Sequence, residues 1–345
     1  MSLDHAFRQQ AATCTAMGSP FTGRLLTALA DGWDNTTALG RDFARYTGDV
    51  GPAGQSLPLR LAGALHALVL TGAEPALTAV YPPHEAEEAA FRAALAHALA
   101  AHEEAILRFV QTHPQTNEVR RSTALIAMAR VAAAQMDVPI VLSELGASGG
   151  LNLHWDRFAL QAGGVTLGPE TPMITLAPEW EGPAPEGPAP RVVARAGVDL
   201  APLDPSDPHD LTRMMAYLWP DQTERMARTR AAAAVQDTRV GEGDAIDWLE
   251  RRLAEVPEGH MHLIQHTVAW QYFPAAAQAR GQALIEAAGA KATKDSPLAW
   301  MSMETDGDTT GGVGAALILR LWPGDATFHL GRIDFHGRWV RWTGP

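Results

Sequence analysis

A chain of 345 residues with 46% hydrophobic and 19% charged side chains has a globular composition and room for two ordinary domains, which excludes disorder as its default state. A formal charge of −12, with lysines and arginines scattered along the chain, excludes a sequence-wide basic footprint, and a single cysteine, Cys14, excludes an internal disulfide framework. Nucleic acid is therefore not an expected partner; Arg332, Arg338 and Arg341 form the one dense basic group, and they read as solvated residues of terminal strands.

No uncharged apolar run reaches the roughly 18 residues of a membrane span. Met1 to Gln10 carries Asp4, His5 and Arg8 where a signal peptide needs an apolar stretch, so the expected location is the cytoplasm. From about Ala6 to Met136 the spacing is helical and the composition rich in Ala and Leu, interrupted at Gly18 to Pro20, Gly48 to Pro58 and Tyr81 to Pro83. Leu61 to Leu70, which carries His66, reads as a core helix. Glu85 to Thr112 reads as the longest helix, ended by Pro114, with Thr116 or Asn117 capping a further helix that runs to about Gln135. Residues 1–136 are thus expected to form a helical domain.

After Met136, short apolar runs alternate with helical patterns, which predicts an α/β domain over 137–345 with a mostly parallel sheet. Strands are expected near Val138 to Ser143, Arg191 to Arg195, Thr238 to Glu242, His260 to His266 and Ala299 to Glu304. Helices are expected near Leu151 to Trp155, Asp210 to Leu218, Asp221 to Val235, Ala245 to Ala254 and Pro274 to Ala288. Gly163-Gly164 between alternating apolar residues predicts an inserted hairpin near 157–168. Gly182 to Pro190 reads as a surface loop, and Pro323-Gly324-Asp325 turns a hairpin before a final strand at Arg338 to Trp342.

The chemistry concentrates after the first of these strands, in Glu144-Leu145-Gly146-Ala147-Ser148-Gly149-Gly150. Glycines here let the chain turn sharply and let backbone N–H groups approach a ligand. A dinucleotide site needs G-x-G-x-x-G, and this spacing fails. A site for S-adenosylmethionine, which has no phosphate, needs an acidic residue, a hydrophobic residue and G-x-G-x-G; Glu144, Leu145, Gly146, Ser148 and Gly150 supply it with serine at the middle glycine. Taken literally, Gly146 to Gly150 is also G-x-S-x-G, the nucleophile elbow of α/β-hydrolases, with Asp244 and His266 following Ser148 in triad order. A purely structural glycine turn is the remaining reading.

Downstream residues suit an adenosine. Asp199 follows the second strand, where a carboxylate can meet ribose hydroxyls, or simply make a turn before Pro202. In Gly243-Asp244-Ala245 the aspartate can cap a helix, face an adenine amino group, or do both. His266, Trp270, Gln271 and Tyr272 crowd the segment after the fourth strand, nearest the reacting centre in such folds, with His266 as candidate general base and Gln271 or Tyr272 orienting a substrate. His260 and His262 lack a cysteine or spaced carboxylate to complete a metal site, and Asp306-Gly307-Asp308 lacks the rest of a calcium loop, so no metal is expected. Cys14 reads as a packed small residue.

These segments, with Leu65 to Leu70, Gln115 to Val119, Arg195 to Asp199 and Trp219 to Gln222, resemble a bacterial family catalogued as domain of unknown function 2332 over nearly the whole chain. The resemblance implies a Rossmann-like, S-adenosylmethionine-dependent methyltransferase-like sheet preceded by a helical domain, and implies no particular reaction. It also draws in Gln115, Asn117 and Arg121, which in such folds begin a helix covering the cofactor. The expectation is a methyltransferase for a small-molecule or protein acceptor, its helical half forming a lid, with a serine hydrolase on Ser148 or a non-catalytic binding protein as alternatives.

Overall fold

The computed structural model describes residues 2–51, 54–255, 257–307 and 313–345. In chain order its helices are α1 (Leu3–Ala16), α2 (Pro20–Asp31), α3 (Ala38–Phe43), α4 (Leu57–Leu70), α5 (Pro75–Thr78), α6 (Glu88–Ala101), α7 (Glu103–Phe109), α8 (Ser122–Gln135), α9 (Pro208–Ala216), α10 (Thr223–Val235), α11 (Ala245–Ala254) and α12 (Ala275–Gly289). Its strands are β1 (Ile140–Leu145), β2 (Phe158–Ala162), β3 (Val165–Leu167), β4 (Ile174–Leu176), β5 (Glu179–Glu181), β6 (Val192–Asp199), β7 (Gly241–Glu242), β8 (Met261–Thr267), β9 (Leu298–Glu304), β10 (Ala315–Trp322), β11 (Ala326–Ile333) and β12 (Trp339–Trp342). The chain divides into two compact units, Met1–Thr116 with Ser206–Arg228, and Asn117–Pro205 with Thr229–Pro345.

The first unit is helical. Ser19 caps α2 through the Thr22 N–H, with Pro20 in the first turn where its missing N–H costs nothing. Leu57, Leu61, Ala64, Leu65 and Leu68 repeat at helical spacing and bury one face of α4, and His66 is buried with Nδ1 3.2 Å from the Ala216 carbonyl. Cys14 is fully buried, and burial pushes its thiol up to about 11, so it is an inert core residue. The helix expected over Glu85 to Thr112 is two helices. His102 leaves helical geometry at φ −118 and ψ 21, and its ring contacts Glu74 Oε2 at 3.0 Å.

The boundary expected at 136 is corrected on two counts. α8 belongs to the second unit, where it packs on β9 and β10. Its run of Ala, Leu, Ile, Met and Val is buried almost all round, the pattern of a helix enclosed in an α/β core and not of an amphipathic bundle member. Residues 206–228 return to the first unit, where α9 packs on α4, so the units are not contiguous in sequence.

The second unit is α/β, built on a large sheet whose order is β5-β12-β11-β10-β9-β8-β1-β6-β7 among the described residues. β7, β6, β1, β8 and β9 run parallel; β10, β11 and β12 follow as an antiparallel meander, and β5 pairs parallel with β12. Every residue of β8 is buried, as a strand covered on both faces requires. β2 and β3 pair antiparallel around Gly163 and Gly164, both at positive φ, and β4 joins them in a separate small sheet. Leu145, Val198, Leu249, Ile264, Ile285 and Leu298 form a core of this unit, where α11 and α12 meet the parallel strands. No helix among the described residues is long and apolar enough to cross a membrane.

Candidate functional site

In the parallel part of the sheet the chain runs outward in one direction from β1 to β6 and β7, and in the other from β1's far neighbour β8 to β9. The strand order therefore reverses between β1 and β8, the point at which open α/β sheets leave a crevice at the carboxyl ends of the strands. The residues at those ends, all in the second unit, make up the candidate site.

β1 ends at Glu144 and Leu145 and turns through Gly146, Ser148 and Gly150 at φ +69, +52 and +73. A Cβ on Gly146 would lie 2.6 Å from the Ala269 side chain, so glycine is required for this turn to meet the loop after β8. The turn closes on its own strands. Gly146 and Ala147 N–H groups donate to the Val198 carbonyl, the Ser148 N–H donates to Asp199 Oδ2 at 2.9 Å, and the Gly150 N–H donates to the Ala147 carbonyl. With these groups engaged internally, the turn does not present the row of N–H donors by which phosphate is cradled. Ser148 is buried, and its Oγ lacks a hydrogen-bond partner among the described residues.

Glu144 lies between β6 and β8, opposite Gly197 and Gln265, and is 2% exposed. Burial pushes its carboxyl up to about 8, helped by the charge of Asp199 and opposed by a hydrogen bond with Gln265 and the guanidinium of Arg121. At neutral pH it therefore carries a proton and can both donate and accept. One carboxyl oxygen, Oε2, is buried without a partner. Gln265 in turn accepts the Trp155 indole N–H at 2.9 Å.

The loop after β8 is held from β9. Glu304, 7% exposed at the end of that strand, accepts from the Ala269 and Trp270 N–H groups at 2.9 and 3.0 Å and pairs with His266 Nδ1 at 2.8 Å. The Trp300 indole N–H donates to His266 Nε2 at 2.8 Å, which leaves the ring proton on Nδ1, directed at Glu304. Burial alone would raise the Glu304 carboxyl; the hydrogen bond from His266 and the Ala269 and Trp270 backbone donors outweigh it and hold the group below its ordinary value. Trp270 stacks on His266 at 5.0 Å between ring centres. Val268 sits at φ +52, a strained conformation for a β-branched residue, at the start of this loop.

Of the residues expected at the site, Glu144, Gly146, Ser148, Gly149, Gly150 and Asp199 gather at β1 and β6, and His266, Trp270 and Gln271 at β8 and β9. His266 as a free general base is corrected: both ring nitrogens are already engaged. Gln271 accepts the Thr305 N–H at 3.2 Å, and Tyr272 is 74% exposed. Asp244 caps α11 through the Ile246 and Asp247 N–H groups, with Ala245 buried behind it; the preceding Gly243 N–H donates to the Asp199 carbonyl. Ser148, Asp244 and His266 are not linked by hydrogen bonds as a triad would be.

Asn117 does not cap its own helix; its Oδ1 accepts the Leu151 N–H at 2.8 Å and so caps the helical turn beyond the glycines. Arg121 is buried and ties the site together, donating to the carbonyls of Thr267 at 3.0 Å and Phe335 at 3.1 Å. Gln115 belongs to the first unit. Arg332, Arg338 and Arg341 each have a carboxylate partner, in Asp306, Asp334 and Glu181. His260 lies before β8, not on it, with Nδ1 at the Glu258 carbonyl, while His262 pairs with Ser143. Asp306-Gly307-Asp308 extends outside the described residues at Asp308. Asp207, His209 and Asp210, at the start of α9, bring their ligand atoms within 4.8 Å of one another, but they are surface residues and Asp207 serves as the helix cap.

Sequence reasoning missed Glu304, Gln265 and Trp300. The available signal was a polar residue inside or closing an apolar strand, Gln265 within β8 and Glu304 at the end of β9. In comparison with known proteins, the profile of one family, described as an uncharacterised protein conserved in bacteria (DUF2332), matches residues 4–342. No curated protein and no solved structure matches.

Proposed function

The chain belongs to the bacterial family DUF2332, and from the arrangement at β1 we propose that its second unit binds S-adenosylmethionine and transfers the methyl group to a small-molecule or protein acceptor. The observation that carries this reading is the strand-order reversal at β1 and β8, flanked by a glycine turn whose N–H groups are spent internally and by the acidic residues Glu144 and Asp199. A cofactor without phosphate suits such a turn. The buried, unpartnered Ser148 Oγ and Glu144 Oε2 are polar atoms that a ligand at this end of the sheet would satisfy. Glu144, Ser148, Asp199 and Asp244 would hold the cofactor, which supplies an electrophilic methyl group on sulfur.

The chain's own contribution is alignment. Glu304 and His266 fix the loop bearing Trp270 and Gln271, and Arg121 fixes the strand end that leads into it. His266, with both nitrogens committed, orients Trp270 and does not carry a proton away. The second reading, a serine hydrolase, draws on the positive φ and unpartnered hydroxyl of Ser148, but lacks a base at that hydroxyl.

The test is thermal unfolding with S-adenosylmethionine and S-adenosylhomocysteine, alongside labelling by a serine-reactive fluorophosphonate. At about a hundredfold excess over Kd the nucleosides should stabilise the protein by about 2.7 kcal/mol, and Asp199→Ala should lessen the shift. No shift with either nucleoside overturns the proposal. Labelling that disappears in Ser148→Ala puts the hydrolase in its place.

A further inference from the structure

A separate cavity of about 220 Å3 lies at the amino ends of β8 and β9, between α11 and α12. Leu253, Ala254, Leu284, Ala288 and Leu298 make its wall mostly apolar, and His262 enters that wall from β8. His262 is only 5% exposed. Its Nε2 lies 2.9 Å from Ser143 Oγ, and the Arg252 Nε–H donates to the same oxygen at 3.2 Å. Of the two groups that reach Ser143 Oγ only the His262 ring can accept, so the buried hydroxyl hydrogen is satisfied at Nε2, which places the ring proton on Nδ1. Among the described residues nothing accepts from that Nδ1–H. Burial, with the nearby charge of Arg252, lowers His262 to about 4, so the ring stays neutral and keeps this hydrogen-bonding pattern at physiological pH.

The charges of the lining complete the chemistry. Glu250 pairs with Arg280, which also pairs with Asp247, whereas exposed Lys291 has no carboxylate partner among the described residues. We propose that this cavity is a binding site for a small amphipathic carboxylate, its apolar body lying between α11 and α12 and its carboxylate accepting the Nδ1–H of His262, with Lys291 favouring an anion at the mouth. The proposal is independent of the cofactor reading, since no residue of the glycine turn takes part.

Titration calorimetry with octanoate, and with octylammonium as the cationic counterpart of equal length, tests it on the full chain. Octanoate should bind saturably, and octylammonium at least about tenfold more weakly. His262→Phe keeps the ring volume and removes the donor; it should weaken octanoate by about tenfold or more, the worth of a hydrogen bond to a charged group. Ala287→Trp, on an exposed position of α12 that lines the cavity, should abolish binding without lowering thermal stability, and it carries the test if His262→Phe does not fold. Absence of saturable octanoate binding, equal affinity for octylammonium, or undiminished binding by Ala287→Trp overturns the proposal.

Discussion

Ser148 departs from its neighbours in the turn by being the residue that is not glycine yet adopts φ +52, flanked by Gly146 and Gly150 at similar values. For an L-residue that conformation costs roughly 1–2 kcal/mol, and the buried hydroxyl adds the cost of an unmade hydrogen bond. Ser148→Gly removes both penalties and should raise stability by about 1–2 kcal/mol in urea unfolding. Ser148→Ala removes the hydroxyl and keeps the backbone strain, so it should gain less. If Ser148→Gly instead destabilises the protein, the hydroxyl has a structural partner and the strain argument fails. If the gain is seen, the strain and the unpartnered hydroxyl of Ser148 point to a role in function. Cofactor-induced stabilisation retained in Ser148→Gly would place that function outside cofactor binding.

At the scale of elements, the carboxyl ends of β1, β8 and β9 are tied together by a few contacts. Glu304→Gln keeps an oxygen for His266 and the Ala269 and Trp270 N–H groups, which all reach Oε1, but removes the charge and turns its NH2 toward the Gln271 N–H that Oε2 accepts at 3.4 Å. The loss should be about 2–3 kcal/mol in denaturant unfolding, in the range for hydrogen bonds to charged groups. Amides of 268–271 should exchange faster, because Val268 is then free to leave φ +52. Unchanged exchange there would show that Glu304 does not hold the loop. Gly146→Ala should cost about 2 kcal/mol or more, since its Cβ meets Ala269 at 2.6 Å and its φ is +69. What the sequence disclosed at this scale follows a physical rule. β1, β8 and β9 are legible because strands buried on both faces are rich in apolar residues, and the glycine turn is legible because the chain must reverse there. The return of 206–228 to the first unit and the enclosure of α8 are not legible, because both depend on which distant elements supply the covering surface. Glu304 and Asn117 were missed or misassigned for the same reason. A carboxylate at a strand end shows nothing of the histidine it will meet, and Asn117 caps a turn that begins at Leu151 and not the helix that follows it.

For the whole molecule, three buried titratable groups set the dependence of stability on pH. His154 is lowered to about 4, first by burial and then by Arg195 and Arg157, and His262 is lowered to about 4 by burial and Arg252. Each histidine binds less proton folded than unfolded between its folded value of about 4 and its ordinary 6.5, so both lose stability as pH falls through that interval. Glu144 behaves oppositely. Its folded value of about 8 exceeds the ordinary 4.5, so the stability it contributes is complete below 4.5 and is lost as pH rises toward and through 8. Between 4.5 and 6.5 two histidines oppose one glutamate and stability rises with pH; between 6.5 and 8 Glu144 acts without them and stability falls. Below about 4 the lowered carboxyls of Glu304 and Asp334 are protonated and remove more. Thermal unfolding across this range should therefore show a maximum near pH 6.5. Glu144→Gln should flatten the alkaline limb and steepen the acid limb, whereas His262→Gln should flatten the acid limb and leave the alkaline one. A wild-type alkaline limb that is already flat would mean that Glu144 is ionised in the folded protein. The carboxyl end of β1 would then present a negative charge, and not a neutral donor and acceptor, to whatever binds there.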